Sequence, residues 1–102
     1  MKHNKLVRDK IPELLKSKWI EFSLDKVEGV EYFKSLKTKL YEEIKEFEET
    51  ENEEELADIV EVLEAIFDYK GFTAEDINKI KAKKKQERWG FEKWIILIET
   101  KE

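Results

Sequence analysis

Apolar residues recur at spacings of three and four along two long stretches of this chain. The first stretch runs from about Val30 to Phe47 and the second from about Glu53 to Gly71. This spacing places a single apolar stripe along an α-helix, so both stretches are predicted to be amphipathic helices. Three glycines and one proline leave few residues for tight turns, which disfavours a sandwich or barrel of many short strands. An all-α bundle of antiparallel helices is therefore predicted.

Shorter elements are predicted on either side of the two long helices. Residues 1–12 form a polar, basic arm, and Pro12 suits the first turn of a short helix. Thr73 has the spacing of a helix N-cap, and the helix that follows it is predicted to end near Arg88. Residues 91–98 are rich in aromatic and β-branched side chains. They are predicted to form a short strand or an extended C-terminal segment packed on the helices.

The composition is that of one soluble globular domain spanning residues 1–102. Charged residues make up 44% of the chain, but both signs occur and 40% of the residues are hydrophobic. The absence of cysteine excludes disulfides and thiolate metal sites. The longest uninterrupted apolar run, residues 95–98, is far below the roughly 20 residues needed to span a bilayer. Met1–Asn4 is not followed by the apolar stretch of a signal peptide, so a cytoplasmic protein without a membrane partner is predicted.

Charge is unevenly distributed along the chain. Residues 42–64 contain twelve acids and the single base Lys45, whereas bases predominate in residues 1–12 and 79–88. The basic ends could hold the anionic groups of a substrate, or they could simply neutralise the acidic helices. Binding to nucleic acid is not expected, because the net charge is −5 and no helix-turn-helix pattern is present.

Four acids are predicted to lie on or beside the apolar stripes of the two long helices. Glu43 falls within the stripe centred on Leu40, and Glu46 lies at its edge one turn later. Glu55 projects into the apolar arc of the second helix from its first turn, and Asp58 lies at the margin. Each helix thus contributes an acid pair at positions i and i+3.

Buried carboxylates without a partner would cost several kcal/mol each, so a cationic partner is expected. Because Lys45 is the single base between Glu42 and Glu64, a divalent cation is favoured. Oxygen ligands without cysteine or clustered histidine indicate Mg²⁺, with Mn²⁺ as an alternative, rather than Zn²⁺. The alternative is that these acids are ordinary solvated residues on highly acidic helices.

The second helix has an apolar arc that is too broad for one neighbouring helix to cover. Ile59, Val62, Ile66 and Tyr69 are expected to need a further surface. A homodimer or higher homo-oligomer that pairs these helices into a four-helix arrangement would supply it.

Three segments together resemble one enzyme superfamily. Glu43–Glu46 followed by Glu55–Asp58 resembles the ExxE…ExxD signature of the MazG-like all-α nucleoside triphosphate pyrophosphohydrolases. Lys5–Pro12 is similar to the opening of the phosphoribosyl-ATP pyrophosphohydrolase-like branch, and Glu87–Trp94 resembles its closing segment. The resemblance covers almost the whole chain and agrees with a homodimer.

This resemblance implies Mg²⁺-dependent hydrolysis of a nucleoside triphosphate between the α and β phosphates, as in house-cleaning of non-canonical nucleotides. The composition agrees, since the chain has no cysteine, one histidine and no Gly-rich phosphate loop for nucleophilic or P-loop chemistry. A metal-activated water would be the nucleophile, with Glu43 or Glu46 as the base. The predicted metal ligands are Glu43, Glu46, Glu55 and Asp58, and the predicted phosphate-binding residues are Arg8, Lys10, Lys81, Lys84, Lys85 and Arg88. The alternative function is a non-catalytic helical dimerisation or regulatory module.

Overall fold

The computed structural model describes residues 1–102 and contains four α-helices and no β-strand. The predicted all-α class is therefore confirmed. None of the helices combines the length and the apolar character needed to cross a bilayer. The helices are α1 (Ile11–Ser17), α2 (Gly29–Thr50), α3 (Glu53–Lys70) and α4 (Ala74–Arg88).

The contacts within the chain divide it into two compact units, which are described separately. The first unit, Met1–Gly71, contains the N-terminal arm and helices α1 to α3. The second unit, Phe72–Glu102, contains α4 and the C-terminal segment.

Helices α2 and α3 form an antiparallel hairpin with a two-residue connection. Helix α2 continues three residues beyond the predicted end at Phe47 and terminates at Glu51, whose φ of 53° is left-handed. The Asn52 side chain then caps α3 by accepting a hydrogen bond from the backbone N–H of Glu55 at 3.0 Å. So short a connection brings the last turn of α2 beside the first turn of α3.

The open end of the hairpin is closed by aromatic rings. Phe33 near the start of α2 stacks on Tyr69 near the end of α3, with ring centroids 5.0 Å apart. Tyr32 meets the same tyrosine edge-on at 5.9 Å. Leu36, one turn further along α2, is 2% exposed and is the single fully buried hydrophobic residue of the chain. The core of the hairpin is therefore thin.

The exposed apolar flank of α3 differs from the one expected. Ile59, Val62 and Ile66 are partly buried, whereas Leu56 and Val60 are 46% and 51% exposed. The line of α3 through Ile59 and Ile66 is partly buried in the hairpin that α3 forms with α2. Leu56 and Val60 lie about 60–120° further round the helix, on its exposed flank.

In the second unit, Thr73 caps α4 as predicted. Its hydroxyl accepts a hydrogen bond from the backbone N–H of Asp76 at 3.1 Å. Helix α4 ends at Arg88 as predicted, and the N–H of the next residue, Trp89, donates to the carbonyl of Lys85 at 2.8 Å. Residues 91–98 form no strand, and the packing of this segment stays a prediction.

Candidate metal centre

The acids predicted as metal ligands converge beside the connection between α2 and α3. Carboxylate oxygens of Glu43, Glu55 and Asp58 lie within 4.8 Å of one another. Carboxylate oxygens of Glu42, Glu43 and Glu46 also lie within 4.8 Å of one another and form a second triad, so Glu43 belongs to both triads. The hairpin brings these oxygens together because one turn of α2 faces the first two turns of α3.

Glu43 is the buried member of the centre. It is 6% exposed, as the helical periodicity predicted. Its Oε1 accepts an ion-pair contact from the Lys39 ammonium at 3.1 Å, but its Oε2 is buried without any hydrogen-bond partner. Burial raises the pKa of the Glu43 carboxyl above its ordinary value, and the hydrogen bond from Lys39 opposes that rise only in part.

A second unpartnered oxygen belongs to Glu55 on the facing helix. Its Oε2 is also buried without a hydrogen-bond partner. A buried acceptor without a partner is rare in a native fold and calls for a ligand, an ion or a water. The carboxylates of Glu43 and Glu55, each with one such oxygen, form together with Asp58 the all-oxygen donor set that Mg²⁺ and Mn²⁺ prefer. The residues therefore fit a hard divalent cation.

Lys39 is a functional neighbour that the sequence reasoning missed. Its ammonium lies 3.2 Å from Glu42 and 3.1 Å from Glu43, at i+3 and i+4 on the same helix. Burial disfavours the charge on Lys39, but the hydrogen bonds to Glu43 and Glu42 outweigh it and raise the pKa of the ammonium. Lys45 is the single base between Glu42 and Glu64, but Lys39 lies one turn before that range and contacts its first two acids.

The N-terminal arm supplies two further cations. The Arg8 guanidinium donates a hydrogen bond to Asp58 at 2.5 Å and one to each carboxylate oxygen of Glu61, at 2.6 and 3.0 Å. Lys5 reaches Glu42 at 3.3 Å. Glu61 was not among the predicted site residues, although its position one turn after Asp58 is a signal that could have found it. The hydrogen bond from Arg8 holds the pKa of Glu61 below its ordinary value.

The protein's own cations leave the centre negative. Three cationic groups contact the carboxylates, while the two triads and Glu61 together hold six acids. Such a residual negative charge favours binding of a further cation. The three cationic residues are Lys5, Arg8 and Lys39, and the six acids are Glu42, Glu43, Glu46, Glu55, Asp58 and Glu61.

The remaining predicted phosphate-binding residues are exposed. Lys10 is exposed at the N-cap of α1. The basic residues of α4 are exposed in the second unit, where the Lys85 ammonium lies 4.0 Å from Glu92. Their role in substrate binding stays a prediction, which covers Lys10, Lys81, Lys84, Lys85 and Arg88.

The arrangement offers hard oxygen ligands, adjacent cations for an anionic ligand and carboxylates that can accept a proton. Comparison of the chain with protein-family profiles, curated proteins and solved structures found no match.

Proposed function

We propose that this protein is a Mg²⁺-dependent nucleoside triphosphate pyrophosphohydrolase of the MazG-like, phosphoribosyl-ATP pyrophosphohydrolase-like type, acting in the cytoplasm on non-canonical nucleotides. It cleaves the α–β phosphoanhydride and releases a nucleoside monophosphate and pyrophosphate. One observation carries the proposal: Glu43 and Glu55 each contain a buried, unpartnered oxygen, and their carboxylates belong to one acidic cluster with Asp58.

In this proposal the four predicted acids bind the metal, and one of them also acts as the base. Glu43, Glu55 and Asp58 hold the cation, with Glu46 completing the set through the second triad. Mg²⁺ bound there, or Mn²⁺ in its place, would polarise the phosphate oxygens and lower the pKa of an attacking water. Glu46 forms no ion pair with a lysine or arginine, which makes it one candidate for accepting the proton from that water; Glu43 is the other.

Basic side chains neutralise the triphosphate and the departing pyrophosphate. Arg8 is placed for this task because it already binds Asp58 at the edge of the cluster. Lys10 on the arm and the basic residues of α4 complete the proposed phosphate-binding set, which consists of Arg8, Lys10, Lys81, Lys84, Lys85 and Arg88.

A homodimer completes the bundle in this proposal. The α2–α3 hairpin buries one hydrophobic residue fully and leaves Leu56 and Val60 exposed on one flank. A second hairpin packed on that flank would produce a four-helix bundle and thicken the core around the carboxylates.

The reaction is tested by the identity of the products. Nucleoside triphosphates labelled at the α or the γ phosphate are incubated with the protein and Mg²⁺, and the products are separated. Labelled monophosphate together with labelled pyrophosphate is expected, and chelation of the metal should abolish both. Diphosphate and orthophosphate as the products would overturn the assignment of α–β cleavage.

The second candidate is a non-catalytic helical dimerisation or regulatory module. It is favoured by the pairing of Arg8, Lys5 and Lys39 with carboxylates of the cluster, since these ion pairs stabilise the acids without a metal. The two candidates differ in their response to Mg²⁺. An enzyme with the proposed site is stabilised thermally by millimolar Mg²⁺, whereas a module with neutralised acids is not.

A further inference from the structure

The N-terminal arm places a guanidinium on one of the proposed metal ligands. Arg8 donates from Nη2 to Asp58 Oδ1 at 2.5 Å and to Glu61 Oε1 at 3.0 Å, and from Nη1 to Glu61 Oε2 at 2.6 Å. Glu61 thus receives a two-pronged contact, whereas Asp58 receives a single one. The guanidinium is held mainly by Glu61 and extends from there to Asp58.

The Asp58 carboxylate cannot bind Arg8 and a divalent cation at full strength at the same time. Its carboxylate belongs to the triad with Glu43 and Glu55, and a divalent cation there needs both its charge and its lone pairs. A guanidinium cannot leave by losing its proton at any ordinary pH. The contacts with Glu61 and Asp58 raise the pKa of Arg8 further, so the contact with Asp58 ends only when the side chain moves.

Lys39 does not compete in the same way. It contacts Glu42 and Glu43 from within α2, one turn away on the same helix, so its position is fixed by the helix itself. Arg8 comes from a segment without helix or strand, and its side chain is 56% exposed. Exposed ion pairs exchange readily with water and ions. Lys5 is also on the arm, but it contacts Glu42, which is not one of the proposed metal ligands. Arg8 is therefore the cation that contacts a proposed metal ligand and is able to move aside.

We propose that Arg8 competes with the divalent cation for Asp58, so that the N-terminal arm closes the carboxylate centre in the metal-free protein and yields Asp58 when metal binds. Glu61 keeps the guanidinium beside the centre during this exchange. Once it has released Asp58, Arg8 can bind an anionic ligand that arrives with the metal. This inference rests on the metal site of the proposed function.

The first test measures metal affinity without substrate. Mn²⁺ binding is followed by electron paramagnetic resonance, and Mg²⁺ binding by calorimetry, for the full chain and for Arg8→Gln. If the closed arm is populated at about 90%, its removal tightens the apparent affinity about tenfold. Lys2→Gln is the matched control, since it removes the same charge from the same arm at an exposed residue without an ion pair. Its affinity should stay within about twofold of the unaltered chain.

Two further variants test the same competition in case Arg8→Gln does not fold. Glu61→Gln keeps Arg8 but weakens its anchor, and it should also tighten metal binding, by a smaller factor. Arg8→Lys keeps the charge but loses the two-pronged contact with Glu61, so its affinity should fall between those of the unaltered chain and Arg8→Gln.

The third test observes Arg8 directly by NMR of its side-chain nitrogens. Arg8 and Arg88 are the two arginines of the chain, so arginine-selective ¹⁵N labelling yields two side-chain signals, assigned with Arg8→Lys. Added Mg²⁺ should shift the Arg8 signal with the same midpoint as the calorimetric titration. The Arg88 signal serves as the internal reference, since Arg88 is the last residue of α4 and does not belong to the arm.

The outcomes separate this inference from the metal site on which it rests. Equal metal affinity in the unaltered chain, Arg8→Gln and Glu61→Gln, with an unmoved Arg8 signal, would overturn the competition while leaving the metal site in place. Absence of metal binding from all of these proteins would overturn both. Tighter binding in Arg8→Gln but not in Lys2→Gln supports both.

Discussion

Glu43 is the one charged residue that the protein buries almost fully. One of its carboxylate oxygens forms an ion pair with Lys39, and the other has no hydrogen-bond partner. Burying an acceptor without a hydrogen bond costs about 1–3 kcal/mol, so the metal-free protein retains this side chain at the expense of stability. A buried residue that lowers the stability of the fold is typical of a functional position.

Replacing Glu43 should stabilise the metal-free protein near neutral pH. Burial raises the pKa of this carboxyl above 4.5, so the folded state binds its proton more tightly than the unfolded state does. The charged form therefore lowers stability above the raised pKa, and this penalty disappears as the pH falls below 4.5. Glu43→Gln should gain about 1 kcal/mol, or about 4–8 °C in melting temperature, in a chelating buffer.

The check is a series of melting curves from neutral to acidic pH, with Glu48→Gln as the control. Glu48 is an exposed acid on the same helix, so its replacement removes the same charge without removing a buried one. The stability gained by Glu43→Gln should shrink on acidification. A loss of stability near neutral pH would mean that the ion pair with Lys39 outweighs burial.

Glu55 and Asp58 should be required for activity but not for folding. Glu55→Gln and Asp58→Asn keep the shape of each side chain and remove the anionic oxygens offered to the metal. Each should lower the rate of pyrophosphate release at least about 100-fold, while circular dichroism shows an unchanged helix content. Glu64→Gln, an exposed acid on the same helix, should retain the rate. Unfolding of both variants would identify the acids as structural.

At the scale of elements, the connection between α2 and α3 sets the geometry of the carboxylates. Asn52 caps α3 through the backbone N–H of Glu55, the residue that carries one of the two unpartnered oxygens. Loss of the cap should therefore loosen the first turn of α3 and weaken the grouping of Glu55 with Glu43. Caps of this kind contribute about 1 kcal/mol.

Asn52→Ala should lower the free energy of unfolding by about 1 kcal/mol, and Asn52→Ser should restore most of it. Urea denaturation measures both differences as a change of midpoint at a constant slope. Metal affinity should weaken in Asn52→Ala along with stability. A variant with full stability and full affinity would show that the cap is not needed to position Glu55.

At the scale of the whole molecule, the exposed flank of α3 should decide the oligomeric state. Val60→Asp places a charge on the apolar flank, where a partner hairpin would bury it at a cost of several kcal/mol. Light scattering should find a dimer for the unaltered chain and a folded monomer for Val60→Asp. Ala57→Asp is the control, because Ala57 is an exposed residue of α3 without a large apolar side chain.

Ile66→Asp should behave differently from Val60→Asp. Ile66 is partly buried in the α2–α3 hairpin, so a charge there should unfold the chain rather than only separate two copies. A fully active monomer of the unaltered chain at micromolar concentration would contradict the proposed homodimer.

The sequence by itself determined the helices and the burial of Glu43. Apolar spacing of three and four residues is a local property, so the positions of α2 and α3 and the inward face of Glu43 follow from it. Side-chain capping is equally local, which is why the N-cap at Thr73 was predictable.

The tertiary structure alone decided which charges meet and which apolar flank stays open. The contact between Arg8 and Asp58 joins residues fifty positions apart, and no periodicity encodes it. The exposure of Leu56 and Val60, rather than Ile59 and Ile66, depends on the side from which α2 approaches α3. A broad apolar arc is compatible with several crossing directions, and only packing of the two helices selects one.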